Sequence, residues 1–248
     1  MNIAQAFVRD PAIVEFVVDQ GVRFVTTSAG DPTKYTALLK DAGLTVFHVV
    51  PTLRGALKAI DAGVDGLVVE GVEGGGFKNP DGPSSMVLIP LVRSRTDLPI
   101  VAAGGFVDGP TLAAALVLGA DGVQMGTRMV AANESPVHDA WKQAVVGAAE
   151  TDTVILNRRG RLSMRVLRTD FANEREFADE VSMGATGTIL DLYFGGDMNA
   201  APANTGQVAG RIHDVLPVAE ILHSCVADAE RILAETAAAV RSTSVLGG

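Results

Sequence analysis

Three copies of one short pattern restrict the fold more than any other feature of the sequence. In each, an amphipathic segment ends at a glycine and a Val-rich stretch follows. Val17-Val18-Asp19-Gln20-Gly21 precedes Val22-Arg23-Phe24-Val25-Thr26. Leu39-Lys40-Asp41-Ala42-Gly43 precedes Leu44-Thr45-Val46-Phe47-His48-Val49-Val50, and Ala59-Ile60-Asp61-Ala62-Gly63 precedes Gly66-Leu67-Val68-Val69-Glu70. A glycine just past a helix takes the left-handed conformation that other residues resist. The spacings from Gly21 to Gly43 and from Gly43 to Gly63, 22 and 20 residues, suit minimal helix–strand units. Two more units follow. Ile100-Val101-Ala102-Ala103 reads as a strand, and Gly109-Pro110 opens a helix with proline in its first turn. That helix ends at Leu118-Gly119-Ala120, before the strand Val123-Gln124-Met125. With the opening Ile3-Ala4-Gln5-Ala6-Phe7, six strands alternate with helices. Such alternation implies an α/β fold with parallel strands joined by right-handed crossovers.

Composition agrees with strands buried on both faces: 48% of residues are apolar, only 5% aromatic, and 27 are glycine. The net charge of −9 argues against nucleic acid or an anionic membrane surface as the main partner. A small-molecule substrate is the expected partner, and the sequence does not specify an oligomeric state. The single cysteine, Cys225, excludes an internal disulfide and any multi-cysteine metal site, so no metal is expected. It reads as a small apolar residue on a C-terminal helix. The longest apolar stretch, residues 112–120, is too short to cross a bilayer. The N-terminus lacks the basic start and apolar run of a signal peptide, so a soluble cytoplasmic protein is expected.

Beyond Asn133 the pattern changes. Residues 135–150 and 214–240 read as helical, while 157–210 are loop-rich with weak periodicity. The expected division is residues 1–133 as a partial barrel and 134–248 as a helical and loop cap packed on it. A loop of that length on a compact domain has a functional role or is mobile.

The segment from Pro99 to Val130 carries the most chemistry. Ala102-Ala103-Gly104-Gly105 ends one buried strand, and Gln124-Met125-Gly126-Thr127 ends the next. In eight-stranded barrels the loops after the last two strands commonly bind phosphate. Glycines let backbone N–H groups approach an anion, and Thr127 adds a hydroxyl donor. Tight turns alone would also account for these glycines. A second segment, Glu70-Gly71-Val72-Glu73-Gly74-Gly75-Gly76-Phe77-Lys78, directly follows a strand. Three consecutive glycines have no packing rationale in a helix or strand. They suggest backbone lying against a flat group such as a cofactor ring, or a flexible loop entry.

Together these segments resemble the nitronate monooxygenase family (2-nitropropane dioxygenases) and the related flavin-type enoyl-acyl-carrier-protein reductases. The resemblance rests on Asn2, the Gly-Gly-Gly loop, Ala-Ala-Gly-Gly-Phe, Gly-Ala-Asp-Gly-Val-Gln-Met-Gly-Thr-Arg, Gly206-Gln207 and Pro217-Val218-Ala219-Glu220. It implies a (β/α)8 barrel that binds FMN, with oxygen or NAD(P) as co-substrate. By the resemblance, Asn2, Glu70, Gly75, Gly105, Gln124, Met125, Gly126 and Thr127 contact FMN, with Gly104 in the same turn. Six of eight strands are expected, because the family's Ala-Pro-Met strand has no counterpart upstream of Asn2. The expected chain is therefore N-terminally truncated.

Two departures point to altered chemistry. The family's catalytic histidine is replaced by Phe77, and Glu70 stands where the family usually has an amide. Phenylalanine cannot exchange a proton, and a carboxylate disfavours an anionic reduced flavin unless protonated or paired. Substitute acid–base candidates are His48, on a strand, and Lys78, beside the altered position. An interior histidine and a solvated lysine are the plainer readings of both. Glu73 reads as structural, and His138, His213 and His223 receive no role. The expected function is thus an FMN-dependent dehydrogenase or reductase, with a coenzyme A thioester as one substrate class. Nitronate monooxygenase activity proper and an inactive ligand-binding barrel are the alternatives. An inosine-monophosphate-dehydrogenase-type reading needs a loop cysteine nucleophile, which Cys225 does not provide.

Overall fold

The computed structural model describes every residue except Arg9, Pro11, Pro80, Arg161, Leu162, Asp179, Glu180, 182–185 and 245–248. In chain order its strands are β1 (Asn2–Ala4), β2 (Phe24–Ser28), β3 (Thr45–Val50), β4 (Gly66–Glu70), β5 (Gly76–Phe77), β6 (Ile100–Ala103), β7 (Gly122–Gln124), β8 (Thr153–Leu156) and β9 (Met164–Leu167). The chain forms two compact units that do not divide at residue 133. The first comprises Met1–Val72, Asp81–Gly104 and Leu118–Gln124; the second comprises Glu73–Pro80, Gly105–Val117 and Met125–Gly248.

The first unit holds a six-stranded sheet in the order β1-β2-β3-β4-β6-β7, with every pairing parallel. Its helices are α1 (Ile13–Asp19), α2 (Thr36–Asp41), α3 (Leu53–Asp61) and α4 (Ser85–Arg93). The three repeated glycines do what the sequence asks of them. Gly21, Gly43 and Gly63 have φ of 67°, 82° and 80°. In each copy the next residue donates its N–H five positions back, Val22 to Val17, Leu44 to Leu39 and Val64 to Ala59. That bond closes the helix and aims the chain into the following strand. A second repeated device sets neighbouring strands. The carboxylate of Asp65, just before β4, accepts from Val46 N–H at 2.8 Å, and that of Asp121, before β7, from Ile100 N–H at 2.8 Å.

Register assigns the faces of this sheet. Phe47 pairs with Thr26 and Gly66, and Val68 pairs with Val49 and Val101, so these share one face. Their neighbours in each strand point the other way. On that opposite face Ile3, Val25, Val46, Leu67, Val69, Ile100 and Ala102 are all buried, which is the helix-covered core. The first face is partly open: Phe24 is 45% exposed.

The second unit contains a three-stranded antiparallel sheet, β5-β9-β8. Its helices are α5 (Gly109–Val117), α6 (Thr127–Val130), α7 (Asp139–Val146), α8 (Asp170–Arg175), α9 (Thr186–Tyr193) and α10 (Val218–Ser244). Trp141, Leu192, Ala203 and Ile212 centre its main core. A smaller apolar cluster of Val154, Leu156, Met164 and Val166 lies on one side of the small sheet. The stretch read from sequence as loop-rich therefore holds β9, α8 and α9. Among the described residues no helix is long and apolar enough to cross a membrane, and no cluster of side chains could hold a metal.

Candidate functional site

In the first unit the carboxyl ends of the central strands form an ordered row. Glu70 pairs with Ala103, and Ala103 with Gln124, so Glu70 and Gln124 end their strands on one face. Carboxyl ends of parallel strands are where α/β folds bind ligands. Asn2 lies at the start of β1, on the same face by its pairing with Thr26. Its amide accepts from Thr26 Oγ1 at 2.9 Å and donates to Ser28 Oγ at 3.3 Å. Gly104 follows Ala103 with φ of 77°, a conformation costly for any residue with a Cβ. The Gly104 carbonyl accepts from the Ser85 hydroxyl.

His48 lies on the other face of this sheet. Its partners in register are Thr27 and Leu67, both in the helix-covered layer. It is 4% exposed, with Nδ1 2.7 Å from Thr27 Oγ1. Burial pushes its pKa down to about 4; the Asp31 carboxylate and a Gly30 backbone hydrogen bond only partly oppose this. The imidazole is thus neutral near pH 7 and is turned away from Glu70 and Gln124. This geometry suits a positioning role better than proton transfer.

The second unit holds a knot of backbone around the glycine-rich loop. Thr127 Oγ1 accepts from Gly206 N–H at 2.9 Å, and Gln207 N–H donates to the Glu73 carbonyl at 2.9 Å. Trp141 Nε1 donates to Thr205 Oγ1 at 3.3 Å. A Cβ at Gly75 would lie 2.7 Å from the Thr205 carbonyl carbon and 2.8 Å from Gly206 N. Gly75 is therefore glycine because another strand of backbone lies against it, where the sequence suggests a flat ring. Gly126 differs: it is exposed, and a Cβ there would meet nothing within 4 Å. Gly105 has φ of 94°, Met125 is half-buried, and Thr127 is buried beside its Gly206 partner. As an acceptor from Gly206, the Thr127 hydroxyl keeps its own proton to donate.

The altered position next to this loop is equally defined. Gly76 pairs with Arg165 and Phe77 with Met164, so successive residues take opposite faces of the small sheet. Phe77 packs into the apolar cluster with Met164 and Val166. Lys78, whose N–H donates to the Ser163 carbonyl at 2.8 Å, falls on the other face with Arg165. Arg165 is 7% exposed and donates to Thr153 Oγ1 at 3.2 Å. Burial lowers its pKa, against the pull of the Glu73 carboxylate. Sequence reasoning missed Arg165, although a lone arginine within Met164-Arg165-Val166-Leu167 was the available signal. It also missed that Thr205 and Gly206 close on Gly75 and Thr127.

A family model described as nitronate monooxygenase matches residues 2–228. The chain belongs to the nitronate monooxygenase family. One relative is the (3aS,4S,5R,7aS)-5-hydroxy-7a-methyl-1-oxo-octahydro-1H-indene-4-carboxyl-CoA dehydrogenase of Rhodococcus jostii. It is 36% identical over 166 residues, covering 67% of this chain and 46% of the relative. The nitronate monooxygenase of Paraburkholderia phytofirmans is 33% identical over 171 residues, 65% of this chain and 47% of that protein. The chain thus spans about half the length of the curated relatives it matches. Among solved structures, FabK from Thermotoga maritima superposes with a TM-score of 0.85 at 34% identity, covering 98% of this chain and 78% of that one. Nitroalkane oxidase from Streptomyces ansochromogenes gives 0.73 at 25% identity, with coverage of 92% and 69%. These likenesses assign the six parallel strands to the barrel fold of the family.

Proposed function

We propose that this chain is the cofactor-binding part of an FMN-dependent oxidoreductase, a dehydrogenase or reductase acting on a coenzyme A thioester. The observation that carries the choice is Phe77. It is committed to an apolar cluster, so no proton-exchanging side chain occupies the position where the family resemblance implies a histidine. The name of the Rhodococcus jostii relative supports the thioester class.

The residues present fit a flavin. Gly126 leaves open space where a Cβ would stand, and Thr127 retains a hydroxyl proton to donate. In the first unit Asn2, Glu70, Gly104 and Gln124 are the residues that would hold FMN; in the second they are Gly105, Met125, Gly126 and Thr127. Gly75 supports this set through its packing on Thr205 and Gly206. When bound, FMN would supply the capacity to take up and pass on a hydride. Lys78 is the candidate to meet an acidic part of the substrate. His48 keeps the β2–β3 contact in place. NAD(P) or oxygen is the expected co-substrate.

The visible absorbance spectrum of the purified chain tests the reading, with released cofactor identified by mass. A flavin spectrum with FMN as the released species is expected, followed by bleaching with an acyl-coenzyme A or a reduced nicotinamide. A colourless folded protein would overturn the cofactor assignment. The family's name favours a second reading, nitronate monooxygenase activity proper. Oxygen consumption with an alkyl nitronate but no reduction by thioesters would establish it. Bound FMN that no donor reduces would instead identify an inactive flavin-binding barrel.

A further inference from the structure

The β8–β9 hairpin of the second unit carries a concentration of charge that the cofactor reading leaves unused. Residues 153–169 include Arg158, Arg159, Arg161, Arg165 and Arg168 and no acidic residue, in a chain of net charge −9. Arg161 lies outside the described residues. Two of the others are committed. Arg168 donates to both carboxylate oxygens of Glu176, at 2.8 and 3.2 Å. Arg165 is buried and reaches Thr153 Oγ1. Arg158 and Arg159 are exposed, at the turn that Gly160 N–H closes on the Asn157 carbonyl at 2.8 Å. Neither belongs to an ion pair among the described residues. The Glu176 carboxyl is held below its usual range by Arg168 first and also by the charge of Arg158, which places Arg158 near the end of α8.

An aromatic ring stands beside these charges. Phe177 follows Glu176 and is 92% exposed, more than any other large apolar side chain among the described residues. Its segment is tied to the hairpin on both sides. Glu176 is held by Arg168, and Val181 by Asn157, whose amide donates to the Val181 carbonyl at 2.8 Å. Asn157 directly precedes Arg158. Two exposed guanidinium groups and a bare aromatic ring along one hairpin match a phosphorylated adenine nucleotide. Arginine meets phosphate oxygens through paired N–H donors, and an aromatic ring stacks on a base.

We propose that Arg158, Arg159 and Phe177 hold the nucleotide end of the coenzyme A thioester, the arginines taking its phosphates and the ring stacking on its adenine. The inference rests on the thioester reading of the substrate and adds where that substrate is anchored. The spacing suits it. Phe77, Met164 and Leu156 form one row across the small sheet, with neighbouring strands about 4.8 Å apart. Arg158 is two residues beyond Leu156, so its Cα stands within roughly 17 Å of that of Phe77. The pantetheine arm has about thirteen bonds from sulfur to the first phosphorus, and extends to about 15 Å at the ~3.3–3.6 Å per three bonds of an extended chain. The arm and an arginine side chain together bridge that span, so a thioester held at the hairpin reaches the glycine-rich loop. Nicotinamide dinucleotides carry the same adenine and pyrophosphate, and the test separates the two sources.

Isothermal titration of the full chain with coenzyme A, pantetheine and NADPH tests the site. Coenzyme A should bind, and pantetheine, which lacks both phosphates and adenine, should bind about tenfold more weakly or less. Replacing both arginines, Arg158→Gln with Arg159→Gln, should weaken coenzyme A about tenfold and leave pantetheine unchanged. Phe177→Leu should weaken coenzyme A by a similar factor of about ten, and Phe177→Trp should restore it. Because the three side chains are exposed, the urea midpoint should stay with the parent's. Full coenzyme A affinity in the arginine variant, or equal affinity of the parent for pantetheine and coenzyme A, would overturn the proposal. So would variants that lose NADPH and keep coenzyme A, which would give the site to the dinucleotide, or a parent that binds an acidic acyl carrier protein and no coenzyme A. Titration needs no bound flavin, so this proposal and the cofactor assignment fail separately. A colourless chain whose coenzyme A affinity still depends on Arg158 and Arg159 retains the site. A flavin-loaded chain bleached by the same subsaturating acyl-coenzyme A in parent and variants does not have it.

Discussion

At Gly75 an added methyl group would press on the Thr205–Gly206 backbone, whereas at Gly126 it would enter open space. The two substitutions therefore test different properties. Gly75→Ala is expected to lower the unfolding free energy by about 1–3 kcal/mol, the usual range for overpacking a tight contact. Gly126→Ala should leave the urea midpoint within about 0.5 kcal/mol of the parent, as at a surface site. It should nevertheless weaken FMN retention, read from the absorbance of the dialysed protein. His48 supplies a third expectation. Its folded pKa of about 4 lies below the ordinary 6.5, so folding favours the neutral ring. That contribution is fully present above pH 6.5 and is lost as pH falls toward 4. A shift of this size corresponds to about 3 kcal/mol. In His48→Gln, stability should be flatter across this window, as measured by urea titrations at several pH values. A curve as steep as the parent's would show that other groups cause the acid loss.

At the scale of elements, α10 is the most uneven. Ile221, Cys225 and Ala229 are buried, while residues 234–242 are exposed on every face. Amide hydrogen exchange should therefore be slow along the first half of the helix and orders of magnitude faster along the second, because only the first has tertiary contacts to break. Uniform protection would contradict this. The same contrast between packed and unpacked elements explains what the sequence made legible. Gly21, Gly43 and Gly63 marked helix ends because only a positive φ closes those turns, and β4 and β6 were readable to the residue as apolar runs between turn signals. The boundaries of β2 and β7 shifted by one or two positions, where hydrogen bonding and not side-chain character sets the end. Strand β9 was missed because all four of its residues are buried, Arg165 among them, which erases the alternation of a half-exposed strand. The face occupied by His48 was not legible either. Its strand was identified, but only pairing with Thr27 and Leu67 fixes the direction of its ring.

At the scale of the molecule, the six-stranded sheet presents one covered and one partly open face. Phe24 lies on the open face, its ring 5.1 Å from that of Phe47. A polar side chain at this position should reduce binding of an apolar fluorescent dye, with a stability change below about 1 kcal/mol. Unchanged dye binding in Phe24→Ser would mean that the dye finds its apolar surface elsewhere. The candidate site was less legible than the sheet. Gly104, Gly105 and Thr127 stand out in the sequence because glycines and a hydroxyl after successive strands are the pattern a phosphate site would use. The closure of Thr205 and Gly206 on Gly75 joins residues far apart in sequence and had no local signature. Trp141, the chain's single tryptophan, is hydrogen-bonded to Thr205 and set edge-on to Tyr193 at 4.8 Å. Every photon of indole emission thus comes from the side of this knot. The colour and lifetime of that emission can follow opening of the Thr205–Gly206 segment in the unlabelled chain.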